Sequence, residues 1–205
     1  MKPALAPDLR RTVLDASLEL IGKQGLSALS MREVARRAGV SHQAPYHHFP
    51  DREAILAALV AEGFELLRAD MAAAISKAGS GDEKLRGIGR AYVHFAVRHP
   101  SHFKLMFRSE LVKAEDHKHT HDCAQSAFGL LASVMDEVTM EKFGRPDPTL
   151  VVAAWSLAHG LATLLLEGKL DEHFGAGKRA QLAAAERVLD AFGALLRQQP
   201  PLTKG

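Results

Sequence analysis

A single cysteine, Cys123, stands among 205 residues, so no internal disulfide can form and a reducing compartment is expected. No apolar run of signal-peptide length follows Lys2 and the two N-terminal prolines. Nor does any segment approach the roughly 20 uninterrupted apolar residues of a membrane helix. The longest candidate, from Val151 to Leu166, is broken by Ser156, His159, Gly160 and Thr163 and reads as a buried helix. Alternating β-branched stretches are missing, so nothing asks for strands. Catalytic signatures are missing as well. There is no Ser-His-Asp arrangement on a strained turn, no Gly-rich phosphate loop and no pair of carboxylates on one face. His94 with Glu110 is the best acid–base pair, and no spacing fixes its geometry. These absences argue against an enzyme, a bound cofactor or a membrane partner, and they favour the cytoplasm.

What is present is an ordinary globular composition, 47% hydrophobic and 24% charged. Irregular structure is expected only at the ends, Met1 to Pro7 and Gln199 to Gly205. The net charge of +2 is unevenly spread: residues 1–50 hold seven Lys and Arg against four Asp and Glu, together with His42, His47 and His48. A mildly basic N-terminal module on a neutral body suits nucleic acid at one end. Apolar residues recur at helical spacing almost throughout, which predicts an all-α chain of about nine helices. The expected helices cover about 8–23, the segments on either side of Gly39, 52–76, 83–99, 101–111, 122–143, 149–168 and 177–198. Residues 112–121 are polar and His-rich and are expected to form a loop or a frayed helix start.

The sharpest signal lies between Leu26 and Leu59. Ser30 precedes Met31-Arg32-Glu33, a Ser-x-x-Glu capping box, and the short helix it opens ends at Gly39. A second short helix is expected from about His42 to Phe49, before the Pro50-Asp51 break. Val34, Ala35 and Val40 face inward and fix the angle between the two helices. This is helix-turn-helix geometry, whose second helix enters the major groove. Pro45 would remove an early backbone hydrogen bond from that helix. Either the helix starts nearer Ala44 or its first turn is distorted.

These residues resemble the TetR family of transcriptional regulators. The likeness is carried by the Ala-Leu-Ser-Met-Arg-Glu-Val-Ala opening, Ala-Gly-Val-Ser at the turn, and Tyr46-x-His48-Phe49-x-Asp51-Arg52-Glu53. More weakly, Tyr92 to Phe107 and Trp155-x-x-x-His159-Gly160 resemble the C-terminal domain type named for its Trp-His-Gly signature. The resemblance implies a DNA-binding domain in residues 1–50 and a ligand-binding and dimerisation domain in 51–205. It implies that Ser30 and Arg32 touch phosphate and that Ser41, His42, Gln43, Ala44 and Pro45 meet base edges. It further implies that Tyr46, His48 and Arg52 grip the DNA backbone, with Phe49 as a core wedge. Gln43 is suited to adenine, and Ala44 or Pro45 to a thymine methyl. Arg36 and Arg37 read better as solvated charges than as base contacts.

The body carries two further expectations. Tyr92, Phe95, Phe103, Phe107 and Phe128 cluster with Met106 and with polar His94, as an apolar site with a few polar groups requires. Trp155 and His159 are one turn apart and share a helix face. Together these residues form the expected small-molecule effector site, which the resemblance supports. The last two helices bear apolar stripes, Val151 to Leu165 and Leu182 to Leu196, suited to a homodimeric four-helix bundle on a palindromic double-stranded operator. The run His117-Lys118-His119-Thr120-His121-Asp122-Cys123 holds imidazole, carboxylate and thiol groups. No second fixed spacing completes a tetrahedral set, and no metal site is assigned. The expected function is a ligand-responsive repressor. The alternative is a helical small-molecule or metal-binding protein with no role on DNA.

Overall fold

The computed structural model describes residues 8–108, 110–112, 117–175 and 177–198. The expected irregular ends, 1–7 and 199–205, lie outside the described residues. Among those described, every regular element is helical: α1 (Leu9–Gln24), α2 (Met31–Ala38), α3 (Arg52–Ile75), α4 (Gly81–Arg98), α5 (Pro100–Met106), α6 (Lys118–Phe143), α7 (Pro148–Leu166), α8 (Asp171–Phe174) and α9 (Lys178–Gln198). Two 3₁₀ turns, Leu26–Ala28 and Ala44–His47, complete the set.

Residues gather into two compact units, one formed by Met1–Gly63 with Pro100–Asp122, the other by Phe64–His99 with Cys123–Gly205. In the first unit α1 packs on α2, on both 3₁₀ turns and on α5. Its core is built from Val13, Leu14, Leu20, Val34, Phe49, Ile55, Leu56 and Leu59, all buried. Asp8 caps α1 by accepting from the Arg10 N–H at 3.0 Å, which satisfies one of the free donors at a helix start. Gly63 is the tightest point. A Cβ there would stand 2.7 Å from Met106 Sδ and 2.9 Å from Met106 Cγ, so the α5 side chain lies directly on the bare backbone of α3.

In the second unit α4 packs on α7 and α9, and α7 packs on α9. Ser80 caps α4 by accepting from Glu83 N–H at 3.3 Å, while the Glu83 carboxylate accepts from Gly79 N–H at 2.7 Å. This is a reciprocal capping arrangement in Ser80-x-x-Glu83 that starts the helix at Gly81, two residues before the expected position. Asp147 caps α7 by accepting from Thr149 N–H at 2.9 Å, and Pro148 begins the helix where its missing N–H costs nothing.

Several elements differ from expectation. The segment expected as a second helix over His42–Phe49 is a single 3₁₀ turn over Ala44–His47, with Pro45 in its first positions. Helix α5 ends at Met106 rather than at residue 111. Helix α6 begins at Lys118, not at Asp122, so His119, His121 and Asp122 are helical. Buried Thr120 explains the early start: its hydroxyl donates to the Ala57 carbonyl at 3.1 Å, holding the first turn of α6. The four-residue α8 carries no periodic pattern long enough to read from sequence.

Helix α7 also differs. By length and composition it is long enough and apolar enough to cross a membrane, and 33% of its apolar window is buried. It is not the wholly buried helix its composition suggested. Its buried positions, Val151, Ala154, Ala158, Leu161, Ala162 and Leu165, recur at helical spacing as a core-facing stripe, with Val152 and Leu164 exposed outside it.

Gly63→Val tests the close approach of α5. The branched side chain collides with Met106, and overpacking of this kind costs about 1–3 kcal/mol, read as a lower urea midpoint with an unchanged slope.

Candidate functional site

The helix-turn-helix is built by caps and one glycine. Ser30 Oγ accepts from Glu33 N–H at 3.2 Å and starts α2, while the Glu33 carboxylate pairs with Arg36 at 2.8 Å. At the other end Gly39 adopts φ 69° and ψ 27°, the left-handed region. Its N–H reaches the carbonyls of Ala35 and Arg36, and Val40 N–H donates to the Ala35 carbonyl at 3.1 Å. These bonds close the C-terminus of α2 and turn the chain sharply. Arg37 binds Glu19 of α1 at 2.7 Å. Both arginines are therefore in ion pairs on the protein's own carboxylates.

Beyond the turn, the segment 41–49 is held from beneath and open above. Pro45 and Phe49 are buried, and His48 and Phe49 N–H groups both donate to the Pro45 carbonyl, at 3.1 and 3.0 Å. Arg10 lies over the Phe49 ring, 5.6 Å from its centroid. Ser30, Arg32, Ser41, His42, Gln43, Tyr46 and His48 are exposed, and Ala44 is half-buried. His42 and Tyr46 approach each other with ring centroids 6.0 Å apart. Pro45 was expected to meet a base edge; its side chain instead fills the core below the turn. Arg52, expected at phosphate, donates from Nη2 to the Leu26 carbonyl at 3.1 Å, and its Nε is buried with no hydrogen-bond partner.

The residues expected around an effector fall into both units, and each is described in its own. In the first, Phe103 and Met106 are buried, and Phe103 meets Phe107 edge-on with centroids 5.4 Å apart. Sequence reasoning did not single out the neighbouring ion pair, in which Glu62 binds Arg11 at 2.7 Å and lies 3.9 Å from buried His102. In the second unit, Phe95 is fully buried in the core. His94 pairs with Glu186 of α9 at 2.7 Å, and Arg90 binds Asp190 at 2.8 Å. Tyr92, Trp155 and His159 come together: Tyr92 Oη lies 2.9 Å from His159 Nδ1, and the Trp155 and His159 ring centroids are 6.3 Å apart. Phe128 meets Trp155 edge-on at 5.8 Å. Burial pushes the Tyr92 phenol well above its usual range, opposed in small part by a hydrogen bond from Trp155. Burial also holds His159 below the ordinary imidazole value. Cys123 Sγ donates to Glu65 Oε1 at 3.6 Å, and His119 stands one turn before it on α6.

A short capped helix, a left-handed glycine turn and a row of exposed polar side chains on a buried Pro–Phe footing define a helix-turn-helix protein. Comparison with known proteins agrees and narrows the class. Residues 13–59 match the family model described as bacterial regulatory proteins, tetR family. Residues 85–192 match the model described as tetracyclin repressor-like, C-terminal domain. The chain belongs to the tetR family of bacterial regulatory proteins. The second model does not name the Trp-His-Gly subtype.

Among curated relatives, the chain is 36% identical over 89 residues to the HTH-type transcriptional regulator BetI of Rhizobium meliloti, covering 43% of this chain and 44% of that one. The BetI of Agrobacterium fabrum is 33% identical over 87 residues, 42% of each chain. The match therefore spans less than half the length of these relatives. Among solved structures, a protein of unknown function from Rhodococcus sp. RHA1 is 30% identical, covers 92% of this chain and 97% of its own, and has a TM-score of 0.75. The transcriptional regulator FadR of Bacillus subtilis, solved in complex with stearoyl-CoA, shares the fold with 16% identity, coverage of 90% and 97%, and a TM-score of 0.71.

Two predictions follow from this geometry. A Cβ at Gly39 meets nothing within 4 Å, so Gly39→Ala carries only the backbone cost of the left-handed region, about 1–2 kcal/mol, measured by urea unfolding. As pH falls through the ordinary imidazole range, the unfolded chain binds more protons at His159 than the folded chain does. The stability it contributes is therefore present above the ordinary imidazole pKa and lost as pH falls. The thermal midpoint of the wild type is expected to fall between about pH 7 and about pH 5, and His159→Gln to show a smaller fall.

Proposed function

We propose that the chain is a homodimeric, ligand-responsive repressor that binds a palindromic double-stranded operator in the cytoplasm and has no catalytic activity. The observation that carries this reading is the row of exposed Gln43, Tyr46 and His48 over buried Pro45 and Phe49. Such a row presents polar groups to DNA without exposing the core. Residues 1–50 carry DNA binding, and 51–205 carry the effector site and the dimer contact. Gln43 reads a base edge, with His42 and Ser41 beside it, while Ser30, Arg32, Tyr46 and His48 position the module on phosphate.

One reading segment makes few contacts, so two are needed on adjacent half-sites. The exposed apolar side chains of α7 and α9, Val152 at 51%, Leu164 at 42% and Leu195 at 59%, support a dimer through these helices. The effector site draws on Tyr92, Phe128, Trp155 and His159 of the second unit. Helix α3 begins in the helix-turn-helix unit and ends in the other, and it carries the response. A coupling of about 1–3 kcal/mol between effector and operator gives about 5- to 150-fold release.

The test is a mobility-shift series with DNA from upstream of the gene, repeated across salt concentrations. Affinity is expected to fall steeply with salt as phosphate contacts release counterions. Tyr46→Ala weakens binding to every sequence alike, and Gln43→Ala changes the preference at one base pair by about 1–3 kcal/mol. A chain that ignores all duplex DNA at low salt refutes the reading. An unchanged ranking of operator variants by Gln43→Ala removes that residue as a reader.

A further inference from the structure

Tyr92 stands between Trp155 and His159 in a hydrogen-bonded group. An indole N–H can only donate, and Trp155 donates to the Tyr92 oxygen. That phenol is 5% exposed, keeps its proton, and lies 2.9 Å from His159 Nδ1, to which it donates when the imidazole is the Nε2-protonated tautomer. An imidazole that accepts at Nδ1 is neutral and carries its own proton at Nε2. Burial disfavours the charged form of His159. The imidazole is half-buried, and around it stand the Trp155 and Phe128 rings, the latter 38% exposed.

We propose that Trp155 and Tyr92 lock His159 as a neutral, Nε2-protonated donor that selects an effector with a carbonyl or carboxylate oxygen on an apolar body. This rests on the reading of the second unit as the effector site. Tyr92 and Trp155 are positioning residues, and His159 is the group that meets the ligand. A donor of fixed direction rewards an acceptor and rejects an ammonium group of the same size, because the ammonium has only protons to offer. The aromatic edges accommodate the apolar remainder.

The chain holds a single tryptophan, Trp155, so its emission reports this site alone. The full-length protein is titrated with 4-phenylbutan-2-one, 4-phenylbutanoate and 4-phenylbutylamine, which share one body and differ in the head group. The ketone and carboxylate are expected to perturb Trp155 emission at about 10-fold lower concentration than the amine. Tyr92→Phe should shrink that difference, and His159→Phe should remove it. Nitrogen-15 spectra of the imidazole, assigned by the signal lost in His159→Gln, are expected to show Nδ1 bare and Nε2 protonated at neutral pH. Tyr92→Phe should move Nδ1 away from its hydrogen-bonded shift.

A protonated Nδ1 in the wild type overturns the relay. Equal or tighter binding of the amine overturns the ligand class while leaving the effector site standing. If none of the three probes perturbs Trp155 or His159, both the effector site and this inference fall.

Discussion

The segment that follows α2 depends on one left-handed residue. With Gly39 at positive φ, the last carbonyls of α2 are closed by the N–H groups of Gly39 and Val40, and the chain reverses within a single residue. Everything after that turn inherits its direction. Pro45 and Phe49 reach the core only because the turn delivers them there, and their burial in turn lifts Gln43, Tyr46 and His48 outward. The segment has too few backbone bonds to be a stable helix by itself. Its shape is set by the glycine at one end and by two buried rings below, with Asp51 opening α3 by accepting from Ala54 N–H at 2.8 Å.

The second unit follows a different logic. Its helices are joined by polar chains as well as by apolar packing: Lys84 with Glu137 at 2.7 Å, Arg90 with Asp190, His94 with Glu186, and Tyr92 with His159. The first three are partly exposed and screened, and pairs of this kind contribute little stability. The Tyr92 chain is more deeply buried, and there a hydrogen bond has fewer competing water molecules and a stricter direction. The side chains expected to define a ligand site thus separate by role. Phe95 fills the core and His94 answers a carboxylate on α9, leaving Trp155, Tyr92 and His159 as the convergent polar group.

Much of the fold was legible because helices announce themselves by period and cap. The Ser30 box, the glycine at 39, the Pro50-Asp51 break and the stripes of α7 and α9 all carry local signals. What escaped were features decided by contact at a distance. The early start of α6 rests on Thr120 reaching the Ala57 carbonyl, a bond with no trace in periodicity. The bare backbone at Gly63 is explained by Met106 and His102 of α5, 43 and 39 positions along the chain. Pro45 showed the limit of local rules: it plainly disturbed a helix, but only tertiary packing decided that it would be core and not surface. Ser80-x-x-Glu83 is the opposite case, a local signal present in the sequence and overlooked. At the candidate site, residue types pointed to Trp155 and His159 through their spacing. Their union with Tyr92 depends on α4 lying against α7.

The division of labour within the turn at Ala44–His47 has an evolutionary corollary. The side chains that hold it, Pro45 and Phe49, point one way, and those that face outward, Gln43, Tyr46, His47 and His48, point the other. Mutations on the outer row leave the packing untouched, so the surface this turn presents can drift among descendants of this gene without a toll on folding. Duplicated copies of such a chain are free to present a new outer surface while keeping the same scaffold.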